Sequence, residues 1–198
     1  LPLERYFGAA QIEALLPAVV VLVCGVRAGK SFLTSCAALR CVLRADLSAL
    51  KSHEIPRAVI VAPTTDNAEA TFRILLGILE GSPALSRMLE GPPTSDRLTL
   101  RRPDGRRVEV VVVAAHRGGI ALRSRWLVFA ALEEVALFGA ETQGNAVNAE
   151  EQLRAAETRL VPGGQVWLPS SPWGPSGLLF DLWRDHFGSP GRVLVVHA

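Results

Sequence analysis

The stretch Val19 to Ser31, VVVLVCGVRAGKS, constrains this chain more than any other. Val19 to Cys24 has the length and β-branching of a strand buried on both faces. The run breaks at Gly25 and passes through Val26, Arg27, Ala28 and Gly29 to Lys30 and Ser31. A helical pattern follows at once, with Phe32, Leu33, Cys36, Leu39 and Leu43 as its expected apolar face. Strand, glycine turn, Lys-Ser and helix together form an arrangement that binds a nucleoside triphosphate. Backbone N–H groups of the turn converge on phosphate oxygens, and the helix N-terminus adds its dipole. Lys30 is placed to reach the β- and γ-phosphates, and the Ser31 hydroxyl to hold Mg²⁺. ATP and Mg²⁺ are therefore the expected cofactors.

The pattern has one irregularity. The position usually taken by its first glycine is Cys24, and Gly25 stands one residue later. The use of lysine argues against an ordinary turn. Of 21 Lys and Arg residues only Lys30 and Lys51 are lysines. A sequence that writes nearly every base as arginine has kept lysine where a compact ammonium is needed.

A chain of 198 residues suits one domain, or one domain cut from a longer protein. It is 49% hydrophobic and 20% charged, which excludes global disorder. A net charge of +2 does not by itself imply a nucleic-acid partner. Cys24, Cys36 and Cys41 read as buried free thiols in a reducing compartment. The N-terminus shows no signal peptide, and the apolar stretch Leu15 to Gly25 is too short to span a bilayer, so no membrane partner is expected.

Ala9 to Leu16 reads as a short helix ending at Pro17. Its Gln11 is either an adenine reader, since an amide donates and accepts at once, or an exposed helix glutamine. Arg57 to Ala62 is a second apolar strand running into Pro63, Thr64, Thr65 and Asp66. A helix is expected from Asn67 to Glu80, capped by Thr65 or Asp66. The hydroxyls of Thr64 and Thr65 also suit contact with a nucleic-acid backbone. Two strand-like runs then flank Pro103-Asp104-Gly105, a hairpin signal. Arg101, Arg102, Arg106 and Arg107 crowd its tip, as a solvated end or as a contact to DNA or a subunit.

Trp126 to Leu132 is another buried strand, delivering Glu133 and Glu134 at its C-terminal end, where ligands sit in open α/β sheets. In phosphate-loop enzymes such an acid holds the Mg²⁺ shell and the next one polarises the attacking water. Glu133 takes the first role and Glu134 the second. Glu133 stands where aspartate is usual, one methylene longer. Further on, a helix is expected over Ala146 to Arg159, a turn at Pro162-Gly163-Gly164, and a strand over Gln165 to Pro169. Ser170 and Ser171 follow, then a helix over Gly177 to Phe187 and a last strand over Arg192 to His197.

GVRAGKS, APTTDNA, ALRSRWLVFAALEEVALF and LPSSPWGPSG, in this order, resemble the ATPase domain of the large terminases that package DNA into tailed bacteriophages. The resemblance covers nearly the whole chain. It implies that Arg27 is the basic residue of the loop and that Thr64 and Thr65 form the family's threonine motif. It implies that Ser170 or Ser171 is the coupling hydroxyl. It also implies that Arg123, with Arg125 as substitute, acts on the ATP of a neighbouring subunit. The implied partners are double-stranded DNA, portal and procapsid, the small terminase subunit, and further copies in a ring that form when active and separate to monomers in isolation. The implied location is the cytoplasm of the infected host. The nuclease domain of a full terminase is absent, so the chain reads as truncated, residues 1–198 being one ATPase domain.

The expected fold is an α/β three-layer sandwich of the P-loop NTPase (ASCE, RecA-like) type, with a mainly parallel sheet, helices on both faces, and an antiparallel hairpin over Arg97 to Ala114. Lys30, Arg27 and Mg²⁺ neutralise phosphate charge, Glu134 orients water, and an arginine from a neighbour completes the site. Two rivals remain at this level: a DNA helicase or translocase core, and a nucleotide-binding module whose hydrolysis is impaired by Glu133.

Overall fold

The structure is a computed structural model that describes residues 3–9, 17–138 and 148–198. In chain order the elements are α1 (Leu3–Phe7), β1 (Val19–Val23), α2 (Lys30–Arg44), β2 (Arg57–Ala62), α3 (Thr65–Glu80), α4 (Pro83–Ser86), β3 (Arg97–Arg101) and β4 (Arg107–Ala114). They continue with α5 (Ala115–Arg123), β5 (Leu127–Leu132), a 3₁₀ turn (Val135–Leu137), α6 (Ala149–Glu157), β6 (Leu160–Ser170), α7 (Leu178–His186) and β7 (Val193–His197). Residues 10–16 of the expected N-terminal helix, Gln11 among them, lie outside the described residues, as do 146 and 147 at the expected start of α6.

The strands form one seven-stranded sheet in the order β3-β4-β2-β5-β6-β1-β7. Only β3 runs antiparallel to its neighbour. The expected sandwich and hairpin are both present. The inner strands are apolar throughout because helices cover both faces. Alternation along β2 shows how the layers divide. Ala58, Ile60 and Ala62 face α2 and α3, whereas Val59 and Val61 belong with Leu122 of α5, Leu153 of α6 and Leu179 of α7.

Three local expectations are corrected. The buried side of α2 consists of Lys30, Thr34, Ser35, Ala37, Ala38, Leu39, Cys41 and Val42. Phe32, Leu33 and Leu43 are exposed. Small residues let the helix lie close on the sheet, so size outweighs hydrophobicity here. Gly118-Gly119, a pair that reads in the sequence as a turn presenting Arg123 at a subunit edge, instead lies inside α5. A Cβ on Gly118 would come within 2.8 Å of Val61 Cγ1 and Gln152 Oε1, so the glycine marks a close helix–sheet approach. Finally, Pro162-Gly163-Gly164 does not end a strand. β6 runs through it, and the register against β5 shifts there as an irregularity in the ladder. Among the described residues no helix is long and apolar enough to cross a membrane.

Candidate nucleotide site

The sheet register builds the site. Val23, at the end of β1, pairs with Ser170 of β6, and β5 ends one residue before Glu133. Glu133 N–H donates to the Val61 carbonyl, and Glu134 N–H donates the other way, to Pro169, each at 2.8 Å. Successive backbone bonds to opposite neighbours hold the two acids at the C-terminal edge of the sheet.

Gly29 caps α2 with φ +82, a left-handed conformation that glycine adopts without strain. Cys24 fits the loop because its side chain turns into the core and is 5% exposed. Burial pushes its thiol pKa up, with Lys30 partly offsetting the effect. Gly25 to Gly29 are exposed, and Lys30 is buried at 9%. The Lys30 ammonium donates to Gly25 O and Ser171 Oγ at 2.9 Å and to Cys24 O at 3.4 Å. It lies 3.1 Å from Glu134 Oε1. Glu134 Oε2 accepts from Ser171 N–H at 2.8 Å and from Ser170 Oγ at 3.4 Å. Ser171 therefore touches both members of the ion pair. Ser170, fully buried, also accepts from Ala136 N–H at 3.2 Å.

Glu133 is 5% exposed, and among the described residues no cation pairs with it. Its Oε2 accepts from Thr71 Oγ1 at 2.8 Å, and Ser31 lines the same cleft. Burial raises its pKa above the ordinary 4.5, and the Thr71 hydroxyl only partly opposes that. Oε1 is buried and has no hydrogen-bond partner among the described residues. A buried carboxylate oxygen left over beside a serine hydroxyl suits a hard cation that takes oxygen ligands. Mg²⁺ needs few protein ligands when phosphates supply the others.

Backbone strain falls at the same place. Arg27 (φ +63) and Glu134 (φ +50) are the only non-glycine residues at positive φ among the described residues. Such outliers cost roughly 1–3 kcal/mol each and persist where surrounding contacts enforce them.

Of the residues singled out in the sequence, the structure brings Lys30, Ser31, Glu133, Glu134, Ser170 and Ser171 together at one edge of the sheet, and leaves Arg27 exposed in the adjoining loop. Sequence reasoning missed Thr71, whose signal was a polar residue on the apolar stripe Ala68, Phe72, Leu75, Leu79 of α3. The cap of α3 is Thr64 instead of Thr65 or Asp66. Thr64 Oγ1 accepts from Asn67 N–H at 3.2 Å, and Thr65 is exposed on the first turn. Arg123 lies apart on α5 and pairs with Glu151 on its own surface. The hairpin arginines sit at the opposite end of the sheet. Arg102 donates to Ala45 O at 2.8 Å and Arg106 to Leu50 O at 2.9 Å, anchoring the segment after α2. Arg125 donates to Ile55 O at 3.4 Å.

No family model and no curated protein matches the chain. Solved structures do. The ATPase domain of the Thermus phage P74-26 large terminase superposes with a TM-score of 0.62 at 21% identity, covering 94% of this chain and 78% of that one. The HK97 bacteriophage large terminase gives 0.58 at 15% identity, over 85% of this chain and 32% of that one. The large terminase of a thermophilic bacteriophage, in complex with ADP, gives 0.60 at 17% identity, over 91% and 40%. What this chain shares with them at such identities is the fold.

Proposed function

We propose that this chain is the Mg²⁺-dependent ATP-hydrolysing motor domain of a phage large terminase and drives double-stranded DNA into a procapsid. The observation that carries the reading is the Lys30–Glu134 pair, held by Ser171 at the sheet edge beside a buried carboxylate with a free oxygen. The likeness in fold to terminase ATPase domains supports it.

The chemistry follows from what each side chain can exchange. Phosphate oxygens carry charge and are stronger acceptors than the Gly25 and Cys24 carbonyls, so they would take the donors of Lys30. Backbone N–H groups at the start of α2 have no helical partner and add to that cradle. Glu134 stays anchored through Ser171 N–H, which leaves Oε1 to accept a proton from water. Ser31 and Glu133 would hold Mg²⁺, which supplies charge neutralisation at the β- and γ-phosphates. Ser170 and Ser171 link the acid to Lys30 and to the strand behind, the place for coupling between nucleotide and chain movement. Thr64 and Thr65 remain the proposed DNA contacts on this edge. Arg123 would act on a neighbour's nucleotide within a ring, with portal, procapsid and small subunit as further partners.

Steady-state ATP turnover with and without duplex DNA tests the reading. Wild type hydrolyses ATP in a Mg²⁺-dependent way, and Glu134→Gln binds ATP but loses roughly 10²–10⁴ in turnover. Wild-type turnover in Glu134→Gln removes this acid from the chemistry, and with it the proposed mechanism.

A further inference from the structure

We propose that the purine base of the nucleotide seats in an aromatic pocket between α7, the loop after β6 and the end of β7, with Trp173 closing over it. This rests on the nucleotide-site reading above and adds where the base goes.

The phosphate end of the site offers a base no stacking partner. Among the described residues the cleft of about 120 Å³ around Lys30 includes Ser31, Asn67, Thr71, Glu133 and Glu134 in its wall and no aromatic ring. β1, which carries the phosphate loop, lies between β6 and β7. A second cleft, of about 200 Å³, opens at the same edge of the sheet toward α7 and β7. Val23, two residues before Gly25, lines it, and so do Pro172 and Trp173, which follow Ser171 directly. Ser171 Oγ accepts from the Lys30 ammonium at 2.9 Å. One short loop thus touches both the phosphate lysine and this pocket.

The pocket is built of rings. Trp183 of α7 stacks between Phe180 and Phe187, with ring centroids 6.2 and 5.7 Å away. His197, at the end of β7, meets the Trp183 ring edge-on at 6.1 Å. Leu179, buried in the core, pins the helix that carries this stack. Trp173 differs from these rings in being 77% exposed. A large ring left in water beside an apolar cleft lacks a partner. A purine is flat and aromatic, and it stacks on such rings whatever its edge pattern. Ser176 and His197 add polar atoms to the wall for the nitrogens of the base edge. The cleft is smaller than the roughly 300–1,000 Å³ that drug-sized ligands occupy, which suits a single heterocycle. An apolar side chain from a protein partner would fill the same space. The link through Ser171 to Lys30 favours a nucleotide, which spans both the phosphate cradle and the pocket.

Isothermal titration with Mg²⁺-ATP and, separately, with Mg²⁺-tripolyphosphate tests this. Wild type is expected to bind ATP about tenfold or more tighter than tripolyphosphate, because only ATP carries a base to stack. Trp173→Ala is expected to weaken ATP binding roughly five- to 150-fold, the loss of one stacked ring, and to leave tripolyphosphate within about twofold. Trp173→Phe is expected to recover most of the ATP affinity, since a ring is restored. An ATP analogue with a photoreactive azide on the purine ring is expected to label the segment 172–183 or His197 of the wild-type protein. Equal binding of ATP and tripolyphosphate in wild type, wild-type ATP affinity in Trp173→Ala, or label confined to other segments would overturn the proposal. So would an equal loss of both ligands in Trp173→Ala, the result for a loop that only shapes the Lys30 cradle through Ser171. If neither ligand binds wild type, the phosphate-loop reading fails and this one with it. Tripolyphosphate binding with no preference for ATP strikes this one alone.

Discussion

Two glutamates are buried among the described residues, and they are buried differently. Glu109 on β4 is 8% exposed and Glu133 after β5 is 5% exposed. Glu109 meets Arg57 and Arg97, the first pair almost as buried as itself, so each of its oxygens has a cation. Glu133 accepts from the Thr71 hydroxyl alone, and among the described residues it has no cation and one of its oxygens has no partner. The first acid is complete within the fold and needs nothing more. The second carries a desolvation penalty that folding alone does not offset, which is the condition of a group whose remaining partner comes from outside. Burial of a charge therefore identifies a site only when its partners are counted.

The largest effect is expected where an exchangeable cation is removed. Lys30→Ala deletes the charge facing the terminal phosphates and leaves Glu134 without its counter-ion. Turnover is expected to fall by roughly 10² to 10³ or more, by analogy with the loss of one preorganised donor, and ATP binding to weaken in isothermal titration. If Lys30→Ala keeps wild-type turnover, the contrast between the two ends of the sheet has no functional meaning.

The next effect is on stability, at the complete acid. Glu109→Gln leaves the buried Arg57 guanidinium without its carboxylate. Breaking a buried pair costs about 3–5 kcal/mol, a fall of roughly 6–20 °C in the melting temperature for a chain of this size. Turnover per folded chain is expected to be unchanged. A loss of turnover without a loss of stability would put Glu109 in the active machinery and erase the distinction.

Glu133→Gln should move stability the other way. Folded Glu133 holds its proton more tightly than the unfolded chain does, because burial raises its pKa above 4.5. The folded state is therefore favoured most below that pH. The advantage is lost as pH rises through 4.5 to the raised folded value, and the penalty is constant above it. The amide removes this term. In EDTA the variant is expected to be more stable than wild type at pH 7, with a flatter profile across that window. Stabilisation by Mg²⁺ and ATP, read by thermal shift, is expected to shrink. A variant less stable than wild type in EDTA would make Glu133 a structural acid like Glu109.

Much of this contrast was legible in the sequence. Strand followed by acid pair needs only an apolar run and its end, so Glu133 and Glu134 could be placed from the run Trp126 to Leu132. The loop could be placed in the same way from Val19 to Ser31. What could not be read was partnership between distant segments. Glu109 looked like one polar residue in a hairpin strand, and only the β2–β4 register brings Arg57 beside it. Thr71 lies 62 positions from Glu133. Apolar character also misled at α2, where close packing selects Ala37 and Ala38 and leaves Phe32 and Leu33 outside. At Gly118 the letter was the same for a turn and for a tight helix contact, and only the neighbouring Val61 and Gln152 decide between them.

The smallest predicted effect tests the hydroxyl that holds Glu133. Thr71 is 2% exposed and donates to Glu133 Oε2 at 2.8 Å. Thr71→Val keeps the shape and removes that hydrogen bond. A bond to a charged group contributes about 1.5–3 kcal/mol, but the valine methyl recovers part of that by burial, so a net stability change of about 1 kcal/mol is expected. The informative readout is the Mg²⁺ concentration at half-maximal turnover. Without the Thr71 hydroxyl the carboxyl is harder to ionise and less well oriented, so that concentration should rise a few-fold, and Thr71→Ser should restore it. In a Glu133→Gln background the same valine substitution should have no further effect on the Mg²⁺ dependence, since its influence runs through the carboxylate. A Thr71→Val chain that loses stability but keeps its Mg²⁺ dependence would show that the hydroxyl only fills the core, as the partners of Glu109 do.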